Sequence, residues 1–232
     1  MISNQGRGLI KLRLMKIINT STKDKVYAAW LKSEFYRMKD NLSQDQIALI
    51  ETPNFDDQAE NAQRENLILN VYGRKPIMDH VPVDIIWYEV EIEKEDLENL
   101  YILAIWDWFI DTGKTFKLSG VVKNLSSGHG HRISNFSPGA ADHKLKIDEM
   151  LKVMDDNVQD IVMVSSSEGG PFTIIDGTHR SSLLAIKGSL PGTKAYLGIA
   201  LDLSKCVWAP EWENYEQNLV ELNRIVNGGH LW

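Results

Sequence analysis

The chain has 232 residues and a formal net charge of −7, with 43% hydrophobic and 25% charged residues. This composition excludes a disordered or fibrous chain, and the acidic balance argues against a protein that coats nucleic acid non-specifically, because such a protein needs clustered lysines and arginines. A single cysteine, Cys206, and the lack of any apolar run of about 20 residues predict a reduced, cytoplasmic protein with no membrane partner.

The first third of the chain has the pattern of helices. Ser21 or Thr22 can cap a helix whose apolar residues follow helical spacing. These residues are Val26, Trp30, Leu31 and Phe35. Ser43 is predicted to open a second, short helix that Pro53 ends. The polar and acidic residues 53–66 indicate a surface loop.

The middle of the chain combines both periodicities. Apolar and polar side chains alternate over residues 83–92, which predicts a strand. Residues 95–111 are predicted to form a helix that Gly113 ends. Residues 115–122, with the sequence TFKLSGVV, have the composition of a strand.

The second half of the chain is predicted to alternate strands and helices after a polar loop. The predicted strands are 160–164, 172–175 and 195–203, and the predicted helices are 144–155, 178–187 and 211–226. The first two strands are joined by SSSEGG, which suits a hairpin. The pattern predicts an α/β or α+β fold with a domain over residues 115–232. Residues 1–114 are predicted to be a helical portion with one strand, packed on that domain.

The most informative local feature is the run IIDGTHRSSLL at 174–184. An apolar strand leads into Asp176 and Gly177, and His179 and Arg180 then occupy the first turn of an amphipathic helix. Backbone N–H groups and a guanidinium directed at one point bind anions well. A purely structural interpretation is equally open, in which Asp176 caps the helix and His179 and Arg180 pair with surface acids.

The polar loop before residue 144 is a second candidate. It contains glycines together with hydroxyl, imidazole and guanidinium groups that can donate hydrogen bonds to an anion. These groups belong to His129, His131, Arg132 and Ser134. Taken alone, this composition is explained better by a mobile surface loop than by a binding site.

The order of elements and the D-G-x-H-R turn together resemble the ParB/sulfiredoxin superfamily, which includes small kinases that phosphorylate free serine. The resemblance spans residues 115–203 and is best at IIDGTHRSSLLA. It implies a ParB/sulfiredoxin-like mixed sheet with flanking helices and a helical N-terminal extension. Sulfiredoxin activity is disfavoured, because the catalytic cysteine that precedes the His-Arg pair in that enzyme is replaced by Thr178.

The resemblance also implies roles for individual residues. Asp176 corresponds to an aspartate that acts near the substrate hydroxyl and the metal, which makes it a catalytic and metal-binding candidate. The implied nucleotide-binding and phosphate-binding residues are Arg132, Ser134, Gly177, Thr178, His179, Arg180 and Ser181. The kinases carry a catalytic glutamate in the preceding loop, and this loop has no acidic residue. His131 or His129 could therefore act as the base, or Asp176 could act alone.

The sequence thus predicts a nucleotide-dependent phosphotransferase that uses ATP or ADP with Mg²⁺. The phosphate acceptor would be a hydroxyl of a small molecule such as an amino acid, or of a hydroxymethylated DNA base. A ParB-like nucleotide-gated DNA-binding or partition module, or a ParB-like nuclease, is the alternative. The net charge disfavours DNA as a partner, and homodimer formation is left open.

Overall fold

The computed structural model describes residues 15–126, 143, 145, 147, 149 and 161–226. Its strands are β1 (Lys16–Thr20), β2 (Ile86–Glu91), β3 (Leu100–Ile102), β4 (Val162–Ser165), β5 (Phe172–Asp176) and β6 (Lys194–Ile199). They form one six-stranded sheet in the order β1–β2–β6–β4–β5–β3. The pairs β4–β6 and β3–β5 are parallel and the other neighbours are antiparallel. The mixed α/β class is confirmed, and the ParB/sulfiredoxin fold stays a prediction.

Helices cover both faces of this sheet. They are α1 (Lys23–Met38), α2 (Gln44–Glu51), α3 (Gln58–Asn66), α4 (Lys75–Met78), α5 (Trp106–Phe109), α6 (Leu118–Ser126), α7 (the helical residues 143, 145, 147 and 149), α8 (Thr178–Lys187) and α9 (Tyr215–Val226). Strand β5 alternates between two cores: Phe172 and Ile174 share one with Leu183 of α8. Ile175 belongs to the other, with Trp30 of α1. Within the described ranges, no helix has both the length and the apolar character of a membrane span.

Local capping explains why the first two helices begin where the sequence predicts. The Thr22 hydroxyl accepts a hydrogen bond from the Lys25 N–H at 3.3 Å and caps α1. At α2, the Ser43 hydroxyl accepts from the Gln46 N–H at 3.2 Å. In return, the Ser43 N–H donates to the Gln46 side chain at 2.9 Å. Each bond satisfies an N–H that the helix itself leaves without an acceptor.

Replacing Ser43 by alanine is expected to lower the free energy of unfolding by about 1 kcal/mol, because alanine cannot accept the Gln46 N–H. Urea unfolding of the variant measures this loss. Ser43→Thr is the matched control and should retain most of the stability, since its hydroxyl can make the same bond. Equal stability of the alanine and threonine variants would contradict the capping role.

The prediction of a loop over residues 53–66 is wrong in its second half, where α3 forms. Asp57 caps this helix by accepting the N–H of Ala59 at 2.8 Å. Arg64 is fully buried, and its guanidinium donates to the Asn54 carbonyl at 2.8 Å and to Glu60 at 3.0 Å. A helix therefore forms in a segment whose polar composition indicates a loop, and its buried arginine donates a hydrogen bond to the backbone of the preceding loop.

The prediction of a helix over residues 95–111 is also wrong. The chain forms a 3₁₀ helix at Lys94–Asn99, then β3, and only a short helix at α5. Leu100 and Ile102 are fully buried, and β3 pairs in parallel with β5, which lies more than 70 residues later. This distant pairing overrides the local helical spacing.

The strand predicted over residues 115–122 is replaced by α6. Phe116 has a φ of 54°, in the left-handed region, which turns the chain out of an extended path. Lys117 makes an isolated bridge to Tyr101, and the helix begins at Leu118. One further prediction is wrong: the first 114 residues contain three strands of the sheet rather than one.

The remaining predicted elements agree more closely with the structure. Strands β4 and β5 form the antiparallel hairpin that SSSEGG indicated. Helix α8 spans the predicted residues and ends at Gly188, which has a φ of 74°. Helix α9 lies within the predicted range, and strand β6 begins one residue before the predicted 195–203 and ends at Ile199. The described residues 145, 147 and 149 are helical as expected.

Candidate functional site

A cleft of about 380 Å³ opens where β3 and β5 end. Because these strands are parallel neighbours, the segments that follow them reach the same edge of the sheet. The cleft is lined by Ser33, Glu34, Arg74, Ile77, Leu103, Ile105, Asp107, Trp108, His143 and residues 175–180. Its volume falls within the range of small-molecule sites, about 300–1,000 Å³.

The turn from β5 into α8 forms one wall of this cleft. Gly177 occupies the N-cap position with a φ of 84°, a left-handed conformation that glycine adopts without strain. This conformation lets the chain reverse within one residue, so that α8 begins at Thr178. The structure thereby brings five predicted site residues to the cleft: Asp176, Gly177, Thr178, His179 and Arg180.

Ser181 is a predicted site residue that does not line the cleft. Ser181 is fully buried, and its hydroxyl donates to the Gly177 carbonyl at 3.0 Å, so it supports the first turn of α8. The remaining four lie outside the described residues: His129, His131, Arg132 and Ser134.

Asp176 is buried at the base of the cleft beside Arg180. The Arg180 Nη2 donates to Asp176 Oδ2 at 3.0 Å, and the two side chains are 10% and 8% exposed. The Ser33 Oγ lies 2.9 Å from the same oxygen and 2.7 Å from the Trp30 carbonyl. The single Ser33 proton can serve one of these two acceptors at a time.

Burial is the main influence on the ionisation of Asp176. It raises the pKa of this carboxyl above its ordinary value, and the nearby charge of Glu34 adds to the increase. Arg180, the Ser33 hydrogen bond and Arg74 oppose it. Asp176 is therefore a carboxyl that holds a proton more readily than a carboxyl in water.

Glu34 and Arg74, which also line the cleft, form a second ion pair through Glu34 Oε1 and Arg74 Nη2. The guanidinium of Arg74 also lies over the Trp30 ring, 6.0 Å from its centroid. Its side chain is 27% exposed, which leaves part of the charge accessible from the cleft. The cleft thus contains two arginines, each held by a carboxylate.

Two histidines meet at the rim of the cleft. His143 Nδ1 lies 3.0 Å from His179 Nε2, and the His143 ring is stacked on Trp108 with a centroid distance of 3.7 Å and an interplanar angle of 15°. His143 is buried, whereas His179 is partly exposed. The pair joins α7 to the first turn of α8.

Sequence reasoning missed Ser33, Glu34, Arg74 and His143. The first three belong to the part of the chain that the superfamily resemblance does not cover, and single polar residues among helices give no local signal. His143 lies in the stretch ADHKLKI, where it matches a surface position of a helix. Only the tertiary fold brings these four side chains to the turn.

Magnesium, predicted with Asp176 as its ligand, stays a prediction. Among the residues that the structure describes, no three His, Cys, Asp or Glu side chains are grouped as a metal site requires. The hydrogen bonds from Arg180 and Ser33 both reach Asp176 Oδ2, and the first comes from a cation. This arrangement fits an arginine partner better than a metal ion.

Comparisons with protein-family models, with curated proteins and with solved structures found no match to this chain.

Proposed function

We propose that this protein is a nucleotide-dependent phosphotransferase. It transfers a phosphoryl group from ATP or ADP to a hydroxyl of a small molecule such as an amino acid, or of a hydroxymethylated DNA base. The observation that supports this most is that the N-terminus of α8, His179, Arg180 and a second arginine, Arg74, converge on one cleft of small-molecule size.

The first turn of α8 is the part of the cleft that suits a phosphate group. The leading N–H groups of a helix lack intrahelical acceptors, and the helix dipole favours an anion there. Arg180 Nη2 donates to Asp176 Oδ2, which orients a guanidinium in this turn, and a guanidinium suits the geometry of a phosphate group. The backbone N–H of His179 belongs to the same turn.

The Glu34–Arg74 pair suits the developing charge of the transferred group. Phosphoryl transfer depends mainly on positioning and on charge stabilisation, and Arg74 supplies a second cation to the lining of the cleft. Glu34 holds Arg74 in place before substrate arrives. Asp176, buried at the base of the cleft, can orient the acceptor hydroxyl by a hydrogen bond.

Nucleotide binding is the first test. ATP or ADP at about 100 times its dissociation constant should raise the melting temperature by roughly 5–10 °C, since binding to the folded state alone adds about 2.7 kcal/mol. Thermal shift with ATP, ADP and CTP, with and without Mg²⁺, measures this. Stabilisation by CTP alone would favour the ParB-like alternative, and no shift with any nucleotide would contradict the proposal.

A matched pair of variants tests the site. Arg74→Gln should remove most of the ATP-dependent or ADP-dependent shift, because it deletes a cation that lines the cleft. Arg224→Gln removes an arginine that also pairs with a glutamate, Glu221, but lies on α9 outside the cleft lining, and it should keep the shift. Phosphorus NMR with a set of hydroxyl acceptors then identifies the product.

A further inference from the structure

One contact of His143 determines which nitrogen donates and which accepts in the hydrogen bond between His143 and His179. His143 Nε2 lies 3.2 Å from the backbone carbonyl of Asp107, and a carbonyl oxygen can only accept. His143 Nε2 therefore carries a proton, and in the neutral ring Nδ1 has the lone pair. The 3.0 Å contact then requires His179 Nε2–H to donate to His143 Nδ1.

This arrangement also limits how many protons the pair can hold. When His179 becomes doubly protonated, its Nε2–H still donates to His143 and the contact remains. A further proton on His143 Nδ1 would set two N–H groups and two positive charges against each other at 3.0 Å. The pair therefore accepts one proton as a unit.

We propose that His143 is a positioning residue for His179, and that His179 is the general base of the cleft. The inference rests on the proposed function, and it assigns the proton transfer of that reaction to His179. A base oriented by a second hydrogen-bonded group follows the logic of nucleophile–base–orienter triads, with the Asp107 carbonyl and His143 in the orienting role.

The proton balance of the step is simple. The acceptor oxygen forms a bond to the terminal phosphorus, and the bond from that phosphorus to the bridging oxygen breaks with its electrons leaving on the nucleotide. The hydroxyl proton moves to Nδ1 of His179, because Nε2 of this ring already carries the hydrogen that it donates to His143 Nδ1, and the added charge is shared through that bond. The proton then passes to solvent when the products leave.

Nearby charged groups bear on this role. Asp176 and Arg180 lie on the same turn as His179, and their ion pair nearly cancels their charges. Glu34 and Arg74, which also line the cleft, form a second ion pair. Asp107 contributes its carboxyl at the rim, and the Trp108 ring covers one face of His143 and excludes water from it.

Two substitutions at residue 143 separate positioning from packing. His143→Phe keeps an aromatic ring against Trp108 but loses both hydrogen bonds. His143→Asn can place a carbonyl oxygen near the Nδ1 position, where it accepts from His179. His80→Gln is the control, because His80 lies outside the cleft lining.

We expect His143→Phe to lower kcat by roughly 10- to 100-fold with KM little changed. The acid limb of its pH–rate profile should move to lower pH, because the cationic form of His179 loses its acceptor. His143→Asn should restore part of kcat and most of the profile, and His80→Gln should match the unaltered protein. A His143→Phe enzyme with unchanged kcat and an unchanged acid limb would overturn the proposal.

Histidine ¹⁵N NMR of the nucleotide-free protein provides a readout that does not depend on turnover. The expected spectrum has a bare Nδ1 on His143, a protonated Nε2 on both rings, and one shared protonation step. Independent titration of the two rings would overturn the inference even if the enzyme is active. If no nucleotide or acceptor is used but the shared step is seen, the proposed function fails while the pairing of the histidines stands.

Discussion

Replacing Arg180 by methionine is expected to lower the free energy of unfolding by roughly 3 kcal/mol near neutral pH. Methionine preserves most of the packing volume but removes the cation that contacts Asp176 at 3.0 Å in a nearly dry environment. The carboxyl then remains buried without its charged partner, which is the costly half of a broken buried ion pair. Urea unfolding measures the loss.

The loss should depend on pH in a defined direction. Burial raises the pKa of Asp176 in the folded protein above its value in the unfolded chain. Between these two pKa values the folded protein binds more protons than the unfolded chain, so the free energy of unfolding falls as the pH rises through that interval. Arg180 opposes the increase, so its removal widens the interval. The variant should differ little from the unaltered protein near about pH 4 and most near about pH 7.

Arg224→Met is the matched control for this prediction. Arg224 also pairs with a carboxylate, Glu221, but the two side chains are 62% and 53% exposed. The control should be as stable as the unaltered protein within the error of the measurement, because an exposed ion pair contributes little to stability. An equal loss for Arg180→Met at acid and neutral pH would contradict a role for its charge, and it would indicate a packing effect instead.

Replacing Gly120 by alanine is expected to lower the free energy of unfolding by roughly 3 kcal/mol, as much as Arg180→Met, although alanine normally favours a helix. A Cβ atom at this position in α6 would lie 1.9 Å from the Thr112 carbonyl oxygen, and a backbone atom cannot rotate away. The Thr112 hydroxyl contacts the carbonyls of Trp108 and Phe109 at 2.9 Å. A shift of α6 should therefore disturb the segment that carries Asp107 and Trp108 into the cleft.

Ser119→Ala on the same helix is the control, and it should change stability by no more than about 0.5 kcal/mol. Thermal and urea unfolding of both variants measure the difference, and the His143 ¹⁵N signals report whether the rim has moved. A Gly120→Ala variant as stable as Ser119→Ala would contradict the prediction, because it would show that α6 can move away from Thr112 with no loss of stability.

The elements that sequence alone predicted well are those whose signals are local. The helix caps at Thr22 and Ser43 and the helix end at Gly188 depend on residues only a few positions apart, so they can be predicted from the sequence alone. The predictions were wrong at strand β3 and helix α6, because contacts with distant parts of the chain determine these two elements. Three residues at Leu100–Ile102 become a strand only because β5 lies alongside.

The same division applies to the candidate site. The turn from Asp176 to Arg180 was predictable because strand, glycine and helix start follow one another in the sequence. The ion pair of Glu34 with Arg74 joins positions 40 residues apart, and the contact of His143 with His179 joins positions 36 residues apart. Neither pairing leaves a pattern along the chain, since each depends on how α1, α4, α7 and α8 pack.

The most direct test of the central claim, that the cleft at the start of α8 binds nucleotide phosphates, is a backbone amide chemical-shift map during titration with ATP and with ADP. The account predicts that the largest changes fall on the amides of Gly177, Thr178, His179 and Arg180. Changes confined to residues outside the cleft, or no saturable change with either nucleotide, would contradict it.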